Sequence, residues 1–149
     1  MKRLLLIILL LSSSFIAKCQ WVHSAKDEMS SLNWGIIGMV DFKRVNDTTV
    51  FPIYNDDVKR FENRRFKLTG YMIPMKAGMK QPKFMISTLP INQCYFCGKN
   101  GNPIMVIVNA HSPVTFTFKT VTVEGVLKLE TGNAFYLPPV YLNDAVLVE

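Results

Sequence analysis

Cys94 and Cys97 bracket Tyr95 and Phe96 and are followed by Gly98, the most chemically pointed stretch of this chain. Two thiols at this spacing have three uses. In an oxidising compartment an even number of cysteines favours a disulfide. So small a ring removes little freedom from the unfolded chain, about 2 kcal/mol by loop entropy, so its use would be local, fixing the turn or holding Tyr95 and Phe96 outward. The second use is a metal knuckle, because a tight Cys-x-x-Cys-Gly turn presents two thiolates to one ion. A closed zinc site needs four ligands, and His111 and His23 are the only histidines to complete it. Soft Cu(I) could instead add thioethers from Met72, Met75, Met79 or Met85, although methionine at such positions more often fills a core. The third use is thiol-disulfide exchange, in which a helix N-terminus lowers the pKa of the first thiol. Pro90 precedes this pair and Gly98-Lys99-Asn100-Gly101-Asn102-Pro103 follows it, so no helix supplies that dipole. Gly98 also stands where covalent haem attachment requires histidine.

Other catalytic patterns are missing from the sequence: no Gly-x-Ser-x-Gly, no His-Glu-x-x-His, no Walker loop and no Gly-x-Gly-x-x-Gly. Asp41, Asp56, Asp57 and Glu124 are scattered, and most have turn-forming neighbours, which favours solvated turn and cap positions over a hydrolytic site. The densest basic cluster is Lys59, Arg60, Arg64, Arg65 and Lys67. A solvated helix end and strand start explains it more simply than a phosphate site does.

The amino terminus indicates where this chemistry would take place. Lys2 and Arg3 precede an unbroken apolar run from Leu4 to Leu11, then Ser12, Ser13, Ser14 and the segment ending Ala17-Lys18-Cys19. Basic, apolar and small-residue regions in that order describe a secretory signal peptide, and the run is short for a permanent membrane span. Ala17 and Cys19 place small side chains at −3 and −1 of a cut before Gln20. Acylation of Cys19 is the rival, disfavoured by Lys18 beside it. Cleavage lowers the formal charge from +6 to +3, since Lys2, Arg3 and Lys18 leave with the leader, and no charge block remains to suggest nucleic-acid binding. The chain has 149 residues, 49% of them apolar, which excludes wholesale disorder. Residues 20–149 are expected to form one domain.

Positioning these groups falls to a β-rich scaffold. Gln20 to Leu32 could form a short docking helix. Trp34 to Arg44, rich in Ile, Val and Phe, reads as a strand that turns at Val45-Asn46-Asp47-Thr48 into Thr49-Val50-Phe51. Asn55-Asp56-Asp57 caps a short helix with Val58 and Phe61 on one face, and Asn63 suits the left-handed residue that ends it. Arg65 to Pro74 alternates Phe66, Leu68, Gly70 and Met72 against Lys67, Thr69, Tyr71 and Ile73, and Thr120 to Leu129 does likewise around Gly125. A glycine inside a strand marks a bulge or a sharp bend. Lys83 to Thr88, the doubly buried run Ile104 to Val108, and Tyr141 to Val148 with a bulge at Asn143-Asp144 complete five strands. A small, strongly bent all-β barrel of OB type with an N-terminal hairpin follows, with an open β-sandwich as the alternative.

Four stretches together resemble a family of small exported bacterial OB-like proteins of unknown function, sometimes linked with metal-responsive or transport gene clusters. They are Trp34 through Phe51-Pro52, Phe66 through Met75 with its Gly-Tyr-Met-Ile-Pro segment, Cys94-Tyr95-Phe96-Cys97-Gly98, and Val121 through Leu127. The resemblance spans roughly residues 34–149 and implies a fold and a compartment, with no catalytic residues. If the family binds a ligand at the cysteine loop, the matching positions are Cys94 and Cys97. The expectation is an exported, non-enzymatic binding or accessory module without cofactor, periplasmic or secreted. Its partner would be an unknown protein or small ligand of the cell envelope, and its functional surface Cys94 to Pro103. The alternative is a periplasmic metal- or thiol-handling protein holding zinc or copper through Cys94, Cys97 and His111.

Overall fold

A computed structural model describes residues 28–91 and 103–148. The expected leader, His23 and the segment carrying Cys94, Tyr95, Phe96 and Cys97 lie outside the described residues. In chain order the elements are α1 (Leu32–Ile37), β1 (Asp41–Asn46), β2 (Thr49–Ile53), α2 (Asp56–Lys59), β3 (Arg65–Pro74), β4 (Lys80–Ser87), β5 (Met105–Thr115), β6 (Thr120–Leu129) and β7 (Val140–Val148). Strands β3 to β7 close a five-stranded barrel in the order β3-β4-β5-β7-β6, with β6 returning to β3, while β1 and β2 form a separate hairpin. All barrel pairings are antiparallel except β5 with β7. This is the small bent OB-like barrel expected from the sequence, and closure excludes the open sandwich. Among the described residues no helix is long and apolar enough to cross a membrane.

Closure depends on one strand serving two neighbours. Residues Arg65 to Tyr71 of β3 pair with β6, and Tyr71 to Pro74 pair with β4, so the exchange of partners occurs beside Gly70. A Cβ at Gly70 would lie 2.5 Å from the Ser87 carbonyl oxygen and 3.2 Å from the Trp34 ring, and only a bare backbone lets β4 and Trp34 approach this closely. Gly125 plays a similar part in β6, where a Cβ would meet the Asn143 carbonyl at 2.8 Å. The β6–β7 register shifts between Glu124 and Val126, and Asp144 adopts a φ of 50°, so the expected bulge is present. The inward faces are those of the alternation: Phe66, Leu68 and Met72 from β3 meet Val123 and Leu127 from β6, Phe84 and Ile86 from β4, and Leu142 from β7. Val106, Ile107 and Val108 are all fully buried, as a doubly covered strand requires.

Three expectations change. Trp34 begins no strand. It sits in α1, where the Ser31 side chain accepts a hydrogen bond from the Trp34 amide and caps the helix. The indole N–H donates to the Thr69 carbonyl at 2.8 Å, and burial of Trp34, Ile36 and Ile37 in the barrel core outweighs the strand preference of their side chains. The hairpin therefore starts at Asp41. The helix expected between Gln20 and Leu32 falls mostly outside the described residues, and residues 28–31 are not helical. Finally, β4 and β5 run longer than their apolar runs: β4 begins at Lys80, with Pro82 at a register shift, and β5 continues to Thr115. Val58 and Asn63 behave as read, with Asn55 Oδ1 accepting from the Val58 amide and Asn63 at φ 63°.

Candidate functional site

A concave surface lies between the hairpin and the barrel. It is a groove of about 480 Å³ formed by the end of α1 and the start of β1, the residues leading into β5, and the loop from β6 to β7. Its lining side chains are apolar and aromatic, Phe42, Ile104, Phe135, Tyr136, Leu137 and Pro139 among them, and polar backbone groups share the exposed lining with them.

The β6–β7 loop is fixed by hydrogen bonds at its ends and to the hairpin. The Glu130 amide donates to the Pro139 carbonyl at 2.8 Å, which pulls the ends of the loop together. Asn133 then fastens it to the hairpin: its Oδ1 accepts from the amides of Val50 and Phe135, and its Nδ2 donates to the Thr48 carbonyl. The Ala134 amide adds a 2.7 Å bond to the Val50 carbonyl. From beneath, the Tyr54 hydroxyl donates to the Glu130 carbonyl at 2.6 Å with the Pro139 carbonyl 3.1 Å away. Burial, reinforced by the carboxylates of Glu130 and Glu62, pushes the Tyr54 pKa well above its ordinary value, so the phenol keeps its proton. Two consecutive prolines, Pro138 and Pro139, stiffen the loop's exit.

A backbone held this firmly nevertheless presents its apolar side chains to solvent. Tyr136 is 78% exposed and Phe42 53%, while Phe135 packs edge-on against Tyr136 with ring centroids 4.8 Å apart. Contiguous exposed apolar groups on a rigid support characterise recognition surfaces.

The groups singled out from the sequence are distributed differently. Cys94, Cys97, Tyr95 and Phe96 lie outside the described residues, and Pro103, at the end of that segment, lines the groove. His111 is exposed on β5, where its Nδ1 hydrogen-bonds Asp144 Oδ1 at 2.6 Å across the parallel β5–β7 pair. No three of His, Cys, Asp and Glu converge among the described residues. Three of the five residues of the basic cluster have acidic partners: Arg65 pairs with Glu124 at 2.5 Å, Arg60 with Asp57, and Lys59 with Asp56 at 3.8 Å. The hydrogen bond from Arg65 holds the Glu124 carboxyl below its usual range.

Motif searching misses the β6–β7 loop, although the sequence carries a signal of it. Ala134-Phe135-Tyr136-Leu137 is an apolar run between Gly132-Asn133 and Pro138-Pro139, where turn residues forbid a strand. Apolar side chains with no regular element to bury them are candidates for a surface role. Compared with family models, curated proteins and solved structures, the chain matches none.

Proposed function

We propose that this chain is an exported, non-enzymatic binding module whose ligand surface is the groove between the hairpin and the β6–β7 loop. One observation carries the reading: the loop backbone is immobilised by Asn133, Ala134 and Tyr54, while Phe135, Tyr136 and Leu137 remain turned to solvent. Immobilising the surface beforehand lowers the ordering cost of binding. The volume suits a small apolar ligand or a few apolar side chains of a partner protein. Pro103, the first described residue after the cysteine-bearing segment, lines this groove.

Site-specific photocrosslinking in the exporting cell tests the assignment. A benzoylphenylalanine in place of Tyr136 is expected to give a defined adduct that is lost when Phe42→Asp is added. The same probe at Lys67, exposed on β3 away from the groove, is expected to give none. Equal labelling from both positions would refute the groove as the ligand surface.

A further inference from the structure

Strand β1 is exposed along its whole length, and its pairing identifies which of its backbone groups are unused. In an antiparallel pair, successive residues direct both their N–H and C=O alternately toward the partner strand and away from it. Val50 of β2 gives its amide to Asn133 and accepts from the Ala134 amide, so both its groups point away from β1. Two residues on, Pro52 points the same way and has no N–H to pair. Their partners in register are Arg44 and Phe42. Arg44 and Phe42 therefore direct N–H and C=O outward along the free edge of the hairpin, and among the described residues no backbone group meets them.

An open edge is a template for another strand. We propose that the β1 edge pairs antiparallel with the same edge of a second copy of this chain, with Phe42 opposite the partner's Phe42. The charges select both the occupant and the register. Only registers that oppose outward-pointing residues can form hydrogen bonds across the edge. Phe42 against Arg44 would set Lys43 directly on the partner's Lys43, and Arg44 against Arg44 would stack two guanidiniums. Phe42 against Phe42 instead sets Asp41 opposite the partner's Lys43 and Lys43 opposite the partner's Asp41. These two opposite-charge pairs occupy the non-hydrogen-bonded positions, where cross-strand side chains are closest. Arg44 falls opposite the partner's Val40, which lies outside β1 and gives its amide to the Ile37 carbonyl, so the hydrogen bonds across the edge are confined to the Phe42 pair. The contact is short, so the dimer is a weak one. Because Phe42 also lines the groove, the dimer would set two grooves side by side with the Phe42 pair between them.

Sedimentation velocity of the mature exported chain, over about 1 µM to 1 mM, reads this directly. The expected result is a monomer–dimer equilibrium that Lys43→Asp weakens by about tenfold, since it places Asp41 against a second aspartate twice per dimer. Asp41→Lys should weaken it similarly, and Asp41→Lys with Lys43→Asp should restore it to within about threefold. All these positions are exposed and their substitution leaves the barrel intact. A chain that stays monomeric at 1 mM would overturn the proposal, as would a dimer indifferent to the single reversals or one not rescued by the double exchange. Asp41 and Lys43 do not line the groove, so their reversals read the dimer alone, and the crosslinking test can fail while the dimer stands.

Discussion

Replacing Gly70 by alanine tests how the barrel closes. The added methyl carbon would lie 2.5 Å from the Ser87 carbonyl oxygen, 3.0 Å from Ile86 Cγ1 and 3.2 Å from Trp34 Cζ2. The nearest of these atoms is backbone and cannot rotate aside, so β3 and β4 must separate where Tyr71 pairs with Ser87. Overpacking of this kind costs about 1 to 3 kcal/mol, and a weakened ladder bond about 1 more, so a loss of about 2 to 3 kcal/mol is expected. Gly125→Ala should behave alike, since its methyl would meet the Asn143 carbonyl at 2.8 Å and the Ala145 side chain at 2.9 Å. Gly35 supplies the contrast. It lies inside α1, and a methyl group added there would have nothing within 4 Å, so the same chemical change should stabilise by about 0.5 to 1 kcal/mol through helix propensity. Urea unfolding followed by circular dichroism resolves these values, because a slope of about 2 kcal/mol per molar turns a 2 kcal/mol loss into a midpoint lower by about 1 M. A Gly70→Ala protein unfolding within about 0.3 M of the parent would refute the close approach of β3, β4 and α1.

Trp34→Phe should cost about 1 to 2 kcal/mol in the same assay, chiefly by leaving the Thr69 carbonyl without its donor. Tyr54 favours its protonated form when folded, so its contribution is complete below the unfolded phenol pKa of about 10 and is lost as pH rises beyond it. Tyr54→Phe should accordingly flatten the alkaline limb of a stability–pH profile. Glu124 has the opposite sign: its lowered pKa stabilises the fold above about pH 4.3 and that contribution is lost on acidification, so Arg65→Ala should flatten the acid limb. Under the proposed export, the intact mass of the protein from its own cell, measured without reductant, should match a chain beginning at Gln20 and lacking the two thiol hydrogens of Cys94 and Cys97. Retained leader or acylated Cys19 would contradict the cleavage site, and free thiols or bound metal the disulfide.

Strand alternation around Gly70 and Gly125, the Asn55 cap, the left-handed Asn63 and the Asn143-Asp144 bulge are all legible along the chain, because each depends on a residue's own backbone preferences or on a period of two. Trp34 departs from its local reading for the complementary reason. Its neighbours prefer strands locally, yet three side chains of α1 enter a core assembled from all five barrel strands, and that burial exists only once the barrel has closed. The far half of β5 is hidden because its residues lie at a rim where Asn109, His111 and Ser112 show no apolar period. The candidate site shows the division most clearly. Phe135-Tyr136-Leu137 between turn residues announces an apolar loop, but that loop becomes a surface through Asn133 binding Thr48 and Val50, and Tyr54 binding Glu130. Those partners stand 76 to 85 residues apart along the chain. No local pattern records contacts of that separation, because the fold alone brings the two segments together.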